Sequence, residues 1–173
     1  LRECGGMNYV HVIRPLTKHA DRRVNMEALK TLLTFNAPGA FSYLRVFLES
    51  KDPDLRDQAV KLAGTARVKE AVPYLIQLLE RRDVIAVELE QKASIIKALG
   101  DIGDPSAVGV LEGLYSAKSL LFRGAMEGLR IEIFKNLRNY PPMSVRPLLE
   151  RGLKSENSEI RKISEEILQM KNT

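Results

Sequence analysis

The feature that most constrains the fold of this chain is a two-helix pattern that recurs with a fixed internal spacing. In each copy, a residue near the start of a first helix precedes a core leucine of a second helix by 20 positions. The pairs are 24 and 44, 55 and 75, 91 and 111, and 129 and 149, and a fifth first helix starts near 160. Successive leucines lie 31, 36 and 38 residues apart, so the repeat length changes while the internal spacing stays constant. This combination indicates stacked helix pairs.

Each second helix carries one apolar stripe. Residues four positions apart share a helix face, so the core leucine, the residue four before it and the residue four after it point the same way. First helices show a similar stripe at Ala28, Ala59, Ile95 and Ile133. We predict that the second-helix columns are buried; they are Leu44, Leu75, Leu111 and Leu149, then Ala40, Ala71, Ala107 and Val145, then Leu48, Leu79, Tyr115 and Leu153.

Local signals place the helix ends. Asp52-Pro53 and Asp104-Pro105 are typical of an N-cap followed by proline at the first helical position. Gly64 and Gly100 share a column, and we expect them to end helices in the left-handed conformation. The segments 9–13 and 84–90 alternate like strands but have no strand to pair with, so we predict that they are helical. The expected helices are 7–17, 21–35, 38–50, 53–66, 69–82, 86–100, 105–117, 121–139, 142–154 and 157–171.

Two stretches, AVPYLIQLL (71–79) and KALGDIGDPSAVGVLEGL (97–114), resemble HEAT repeats of the short type named after the phycobilisome lyases. The resemblance implies an all-α fold: a right-handed α-α superhelix of about five repeats, with second helices on the concave face. We expect one continuous solenoid domain over 20–173. Residues 1–19 would be a tail and the second helix of a partial preceding repeat, and its exposed apolar side chains lead us to expect further repeats upstream.

Composition limits the chemistry. The net charge of +5 is modest for a nucleic-acid-binding chain, and no tryptophan is present for base stacking. No apolar run reaches the roughly 18 residues that a membrane span needs. Two histidines and one cysteine are too few for a zinc site at ordinary ligand spacings. We therefore expect no metal, no cofactor and no catalysis, and the single cysteine fits a cytoplasmic location.

A polar column follows the start of the first helices. A cation there faces the positive end of the helix dipole, which is unfavourable by roughly 0.3–1 kcal/mol, so a nearby partner must offset it. We predict a structural ladder of cations and carboxylates between repeats, and a stripe along a phosphate backbone is the alternative. The basic segment 14–23 also has two interpretations: a solvated turn between helices, or a contact with nucleic acid or an acidic partner. The column is Asn25, Arg56, Lys92, Arg130 and Arg161.

Candidate partner-binding residues come from two places. Repeat proteins recognise partners through ladders of exposed side chains, so second-helix positions beside the buried stripe are candidates. Five and seven extra residues also enter the links after the second and third complete repeats, and their apolar residues form either a satellite core or a binding patch. The second-helix candidates are Tyr43, Arg45, Tyr74, Gln77, Glu112, Arg146, Glu150 and Arg151, and the link candidates are Val84, Ile85, Leu121 and Phe122.

The function expected from these features is a non-catalytic scaffold. It would present a curved surface to another protein or to a neighbouring domain of its own chain. Two alternatives stay open. One is a nucleic-acid-binding module that resembles the HEAT-like DNA glycosylases, and the other is an enzyme subunit that resembles the bilin lyases.

Overall fold

The computed structural model describes residues 9–80, 87–117 and 123–172, and every regular element in these ranges is helical. Short 3-10 segments precede or follow several helices, at Arg14–Lys18, Lys69–Ala71, Pro105–Ala107 and Leu137–Asn139. The α-helices are α1 Val10–Ile13, α2 Arg22–Thr34, α3 Ala40–Leu48, α4 Pro53–Thr65, α5 Val72–Glu80, α6 Val87–Ile102, α7 Val108–Ser116, α8 Arg123–Lys135, α9 Pro142–Gly152 and α10 Ser158–Asn172.

The strand-like segments do not form strands where the structure describes them. Val10–Ile13 is the helix α1, and residues 87–90 belong to α6. Residues 84–86 lie outside the described ranges. The other helix predictions hold to within a few residues at each end, which is the usual scatter of helix boundaries.

The helices form two layers. First helices α4, α6, α8 and α10 pack on one another in chain order, and second helices α3, α5, α7 and α9 lie beside them, each against the first helix that follows. The four core leucines of the second helices are fully buried, as predicted, and so are Ala59 and Ile133 of the first helices. The fold is an all-α helical-repeat solenoid, as the repeat pattern predicts.

The last second-helix column is only partly buried. Leu48 and Leu79 are buried, but Tyr115 is half-buried and Leu153 is 41% exposed. The prediction for Leu153 is wrong: Leu153 is the C-cap of α9, where its N–H still donates to the Leu149 carbonyl, but its side chain is exposed.

Gly64 and Gly100 lie inside α4 and α6 and do not end them. A Cβ on Gly64 would come within 2.7 Å of the Ala98 Cα, and one on Gly100 within 2.5 Å of the Asn136 Cβ. These glycines permit close approach between neighbouring first helices. The left-handed conformation occurs later, at Gly103 with φ of 70° and at Arg67 with φ of 52°.

The predicted aspartate caps are confirmed. The Asp52 carboxylate accepts hydrogen bonds from the backbone N–H groups of Asp54 and Leu55. The Asp104 carboxylate accepts one from the N–H of Ser106. Each aspartate is followed by proline at the first helical position, where the missing N–H costs nothing.

Three links between repeats share one hydrogen-bond scheme. In the link before α4, Ser50 Oγ accepts from the Asp52 N–H, and Arg56 Nη1 donates to the Ser50 carbonyl at 2.9 Å. The link before α10 repeats this with Ser155, Asn157 and Arg161. The link before α2 uses His19, Asp21 and Asn25 at the same spacing.

Three of the four cations in the column make contacts that join parts of the fold, but their partners differ from those predicted. Arg56 and Arg161 donate to carbonyls that follow a second helix, and Arg130 donates to the carbonyls of Tyr115 and Ala117 at the end of α7. Among their contacts with described residues, only that of Arg130 also includes a carboxylate, that of Glu127 at 3.2 Å. Lys92 makes no hydrogen bond or ion pair with another described residue. The prediction of a cation–carboxylate ladder is wrong because backbone carbonyls at helix ends are nearer and lack intrahelical partners.

Candidate interaction surface

Large apolar side chains are exposed on the second helices and at the N-terminal end of the described chain. Val46, Met143 and Leu153 are 67%, 81% and 41% exposed and lie on second helices or at their ends. Tyr9, Val12 and Leu16 lie at α1 and the 3-10 segment after it. Among the described first-helix side chains, Met170 of α10 is the one large apolar residue that is exposed.

The predicted second-helix candidates all lie at or near this surface. Arg45, Gln77, Arg146, Glu150 and Arg151 are exposed, and Tyr43, Tyr74 and Glu112 are half-buried. Their shared surface on α3, α5, α7 and α9 is called the second-helix face below. The link candidates Val84, Ile85, Leu121 and Phe122 lie outside the described residues.

One cluster joins α3 to α5. The Arg45 guanidinium lies 5.3 Å from the centre of the Tyr74 ring. Arg45 Nε donates to Glu49 Oε1 at 2.8 Å, one helical turn along α3. Phe41 meets the same tyrosine with ring centres 5.6 Å apart. The arginine is thus held from two sides at the surface.

A second cluster joins α7 to α9. Arg151 Nη1 donates to Glu112 Oε1 at 2.6 Å and Nη2 donates to Ser116 Oγ at 2.9 Å. The same guanidinium lies 5.3 Å from the centre of the Tyr115 ring, which packs edge-on against Phe134 at 5.1 Å. Among the described residues, an arginine therefore lies over a tyrosine ring in two places, each time across neighbouring second helices.

The remaining candidates are less closely associated. Arg146 Nε donates to Glu150 Oε1 at 3.1 Å within α9. Tyr43 packs against the core, and Gln77 is exposed on α5. The structure therefore brings together Arg45 with Tyr74, and Glu112 with Arg151.

Comparison with known families supports the repeat architecture. A family model described as HEAT repeats matches residues 10–90 and 44–130, which together cover more than half of the chain. The chain belongs to the HEAT repeat family. No curated protein matches it.

Sequence reasoning missed three contributors to the HEAT second-helix face, namely Phe41, Tyr115 and Ser116. Tyr115 was assigned to the buried stripe because its column holds leucine in the other repeats. That substitution was the available signal, because a tyrosine hydroxyl favours a position at the edge of a core. Phe41 and Ser116 gave no comparable signal.

The basic segment 14–23 of the HEAT stack is largely engaged within the chain. Arg14 donates to the Pro38 carbonyl at 3.0 Å, Arg22 pairs with Asp52 at 3.0 Å and Arg23 pairs with Asp21 at 3.1 Å. These contacts favour the structural interpretation of the segment over a free cationic patch.

Several ionisable groups have pKa values that depart from their ordinary values, and hydrogen bonds and burial within the fold cause these shifts. The pKa of Asp21 is lowered chiefly by its side-chain hydrogen bond from Arg23, and that of Asp52 chiefly by the backbone N–H of Leu55. The hydrogen bond from Ser106 lowers the pKa of Asp104. Burial raises the pKa of Tyr140, and burial lowers the pKa of Lys171, whose Nζ donates to the carbonyls of Arg138 and Tyr140.

Two grooves lie near the N-terminal end of the stack. A groove of about 570 Å³ runs between the 3-10 segment and α2, with Ile13, Leu16 and Val24 among its lining. A second, of about 370 Å³, lies on α3.

Over the described residues, no group of histidine, cysteine and carboxylate side chains is arranged to hold a metal ion. Among the described helices, none has the length and apolar character that a membrane span requires.

Proposed function

We propose that this HEAT repeat chain is a non-catalytic scaffold that binds another protein, or a neighbouring domain of its own chain, through the second-helix face. The observation that carries the proposal is the pair of arginine–tyrosine contacts, Arg45 on Tyr74 and Arg151 on Tyr115. Tyrosine and arginine are enriched among the residues that dominate binding energy at interfaces. Rings and ion pairs already hold these side chains in place, so less conformational entropy is lost when a partner binds.

The distribution of exposed apolar surface supports the same face. Val46, Met143 and Leu153 add large apolar side chains to it. The outer surface of the first helices instead carries ion pairs between lysine and aspartate one turn apart, Lys61 with Asp57 and Lys97 with Asp101. Exposed pairs of this kind contribute little to binding or stability.

The non-catalytic part of the proposal rests on the sequence composition, and the three carboxyl groups with lowered pKa values have a structural role. A general acid or base works best with a pKa near neutrality. The perturbed carboxyl groups Asp21, Asp52 and Asp104 are shifted downward instead, and each caps a helix. As further parts of the proposal, the chain belongs to the short phycobilisome-lyase type of repeat and works in the cytoplasm, on the sequence arguments given above.

The test is capture of partners by the full chain from a lysate of the organism that encodes it, followed by alanine substitution on each face. We expect Tyr74→Ala and Arg151→Ala each to weaken the captured complex by at least about tenfold, the range of interface hot spots. Lys61→Ala and Lys97→Ala are the matched controls on the first-helix face and should leave it unchanged. Equal losses from both faces, or capture of nucleic acid with a steep salt dependence, would contradict the proposal.

A further inference from the structure

The groove on α3 has an apolar part and a single cation. Phe41, Ser42 and Val46 line it together with the ion pair of Arg45 and Glu49, and its volume is about 370 Å³. Val46 is 67% exposed, although removing a valine side chain from water is favourable and lowers the free energy. Covering this groove would bury Val46 and the exposed part of Phe41.

Arg45 is oriented with its outer edge free. Its Nε donates to Glu49, and its Cζ lies over the Tyr74 ring. Neither Nη group donates a hydrogen bond to another described residue. The two Nη groups form one edge of the planar guanidinium, and that edge matches the two oxygens of a carboxylate.

We propose that the α3 groove binds a peptide segment of a partner protein in which a glutamate or aspartate lies next to an apolar residue. The carboxylate accepts hydrogen bonds from both Nη groups of Arg45, and the apolar residue covers Val46 and Phe41. This inference rests on the proposed scaffold function and specifies the chemistry of the partner at one end of the second-helix face.

The groove supplies too little positive charge for phosphate-rich ligands. Arg45 is the one cation that lines the groove, and Glu49 lies 2.8 Å from its Nε. A singly charged carboxylate leaves this cluster with a net charge of −1, whereas a phosphate dianion brings more repulsion from Glu49. Nucleic acid normally requires several cations along its backbone, and the groove supplies one.

The Ser42 hydroxyl adds a polar group to the same groove. Ser42 is exposed on α3 and can donate to or accept from the backbone of a bound peptide. The groove therefore offers an apolar wall, a hydroxyl and an oriented cation, which together suit a short peptide.

The experiment is selection of short random peptides displayed on phage against the full chain and against the variant Arg45→Gln. We expect peptides with Glu or Asp beside an apolar residue to be enriched on the wild-type chain alone. A synthetic copy of the best peptide, and the same peptide with its acid changed to the amide, are then titrated. The amide peptide should bind at least about tenfold more weakly, as expected when a charge-assisted hydrogen-bonding partner is lost.

Arg138→Gln is the control variant. Arg138 is likewise an exposed arginine paired with a glutamate, its Nη2 lying 3.2 Å from Glu166 Oε2, but it lies on the 3-10 segment after α8, and within the described part of the chain it meets no ring and lines neither groove. Peptide binding should be unchanged in this variant. Far-ultraviolet circular dichroism establishes that both variants keep the helical fold.

Three results would overturn the inference: no enrichment on the wild-type chain over Arg45→Gln, equal binding of the acidic and amide peptides, or preferential binding of a phosphorylated peptide or an oligonucleotide. None of these decides the scaffold function. That function is judged by Arg151→Ala, whose site between α7 and α9 lies in a different part of the second-helix face.

Discussion

The first-helix layer and the second-helix layer both contain glycine inside helices, but for different reasons. In the first layer, Gly64 and Gly100 lie where a neighbouring helix leaves no room for a Cβ. On α7 of the second layer, Gly109 and Gly113 are exposed, and a Cβ on either would meet nothing within 4 Å. The comparison shows that packing within the chain fixes side-chain size where helices meet, as at Gly64 and Gly100 and also at Gly152 of α9, and leaves it free on the outer side of α7.

The largest effect is expected in the first layer. Gly100→Ala would place a Cβ 2.5 Å from the Asn136 Cβ and 2.7 Å from its backbone oxygen, so α6 and α8 must move apart. We expect the free energy of unfolding to fall by about 3 kcal/mol, the upper part of the range for overpacked sites. Urea denaturation followed by circular dichroism measures it. A loss under about 0.5 kcal/mol would show that the two helices are not in close contact.

The next effect concerns how the two layers are joined. Arg56→Met removes hydrogen bonds from Arg56 to the Ser50 carbonyl and to Gln91 Oε1, at 2.9 and 3.2 Å. We expect a loss of about 2 kcal/mol, as for hydrogen bonds from charged groups. Lys92→Met in the same column is the control and should change the unfolding free energy little. Equal losses in the two variants would contradict the role given to the carbonyl contacts.

A smaller effect of opposite sign is expected on α7. Gly113→Ala fills open space and raises helix propensity, so it should stabilise the chain by about 0.5–1 kcal/mol. The same urea experiment measures it, with Gly100→Ala as the contrasting variant. Destabilisation by Gly113→Ala would mean that the second layer also has a packing demand there.

The smallest effect is a pH dependence. The pKa of Asp52 is lower in the folded state, so the cap contributes its full stability above the unfolded value of about 3.9 and loses it as pH falls through the folded value. The Tm of the wild-type chain should therefore fall more steeply below about pH 4 than that of Asp52→Asn, which keeps a capping oxygen without the titration. If Tm falls equally steeply with pH in both proteins, the charge of the Asp52 cap does not contribute to stability.

Most of the architecture could be predicted from sequence because it depends on local periodicity. Leu44, Leu75, Leu111 and Leu149 lie at a fixed sequence distance from the starts of their first helices, and all four are buried. The aspartate–proline caps were equally visible because capping depends on neighbours within three residues. Features that depend on residues within one or two helical turns could thus be predicted from the sequence.

Features that depend on contacts between helices could not be predicted from the sequence. The role of Gly100 depends on Asn136, which is 36 positions away, and sequence spacing alone favoured a helix end. The same limit applies to Arg56, whose nearest partners are a carbonyl six residues before it and an amide in the next repeat. At the candidate surface, Arg45 and Tyr74 were each identified, but their contact follows from how α3 packs beside α5.

The two layers offer a direct probe of which face binds. Met143 of α9 is 81% exposed on the second-helix face, and Met170 of α10 is 61% exposed in the first-helix layer. Mild peroxide oxidation of the captured complex, read residue by residue by mass spectrometry, compares them in one sample. The account predicts that the partner slows oxidation of Met143 and leaves Met170 unchanged. Protection of Met170 with Met143 unprotected would contradict the assignment of the binding face.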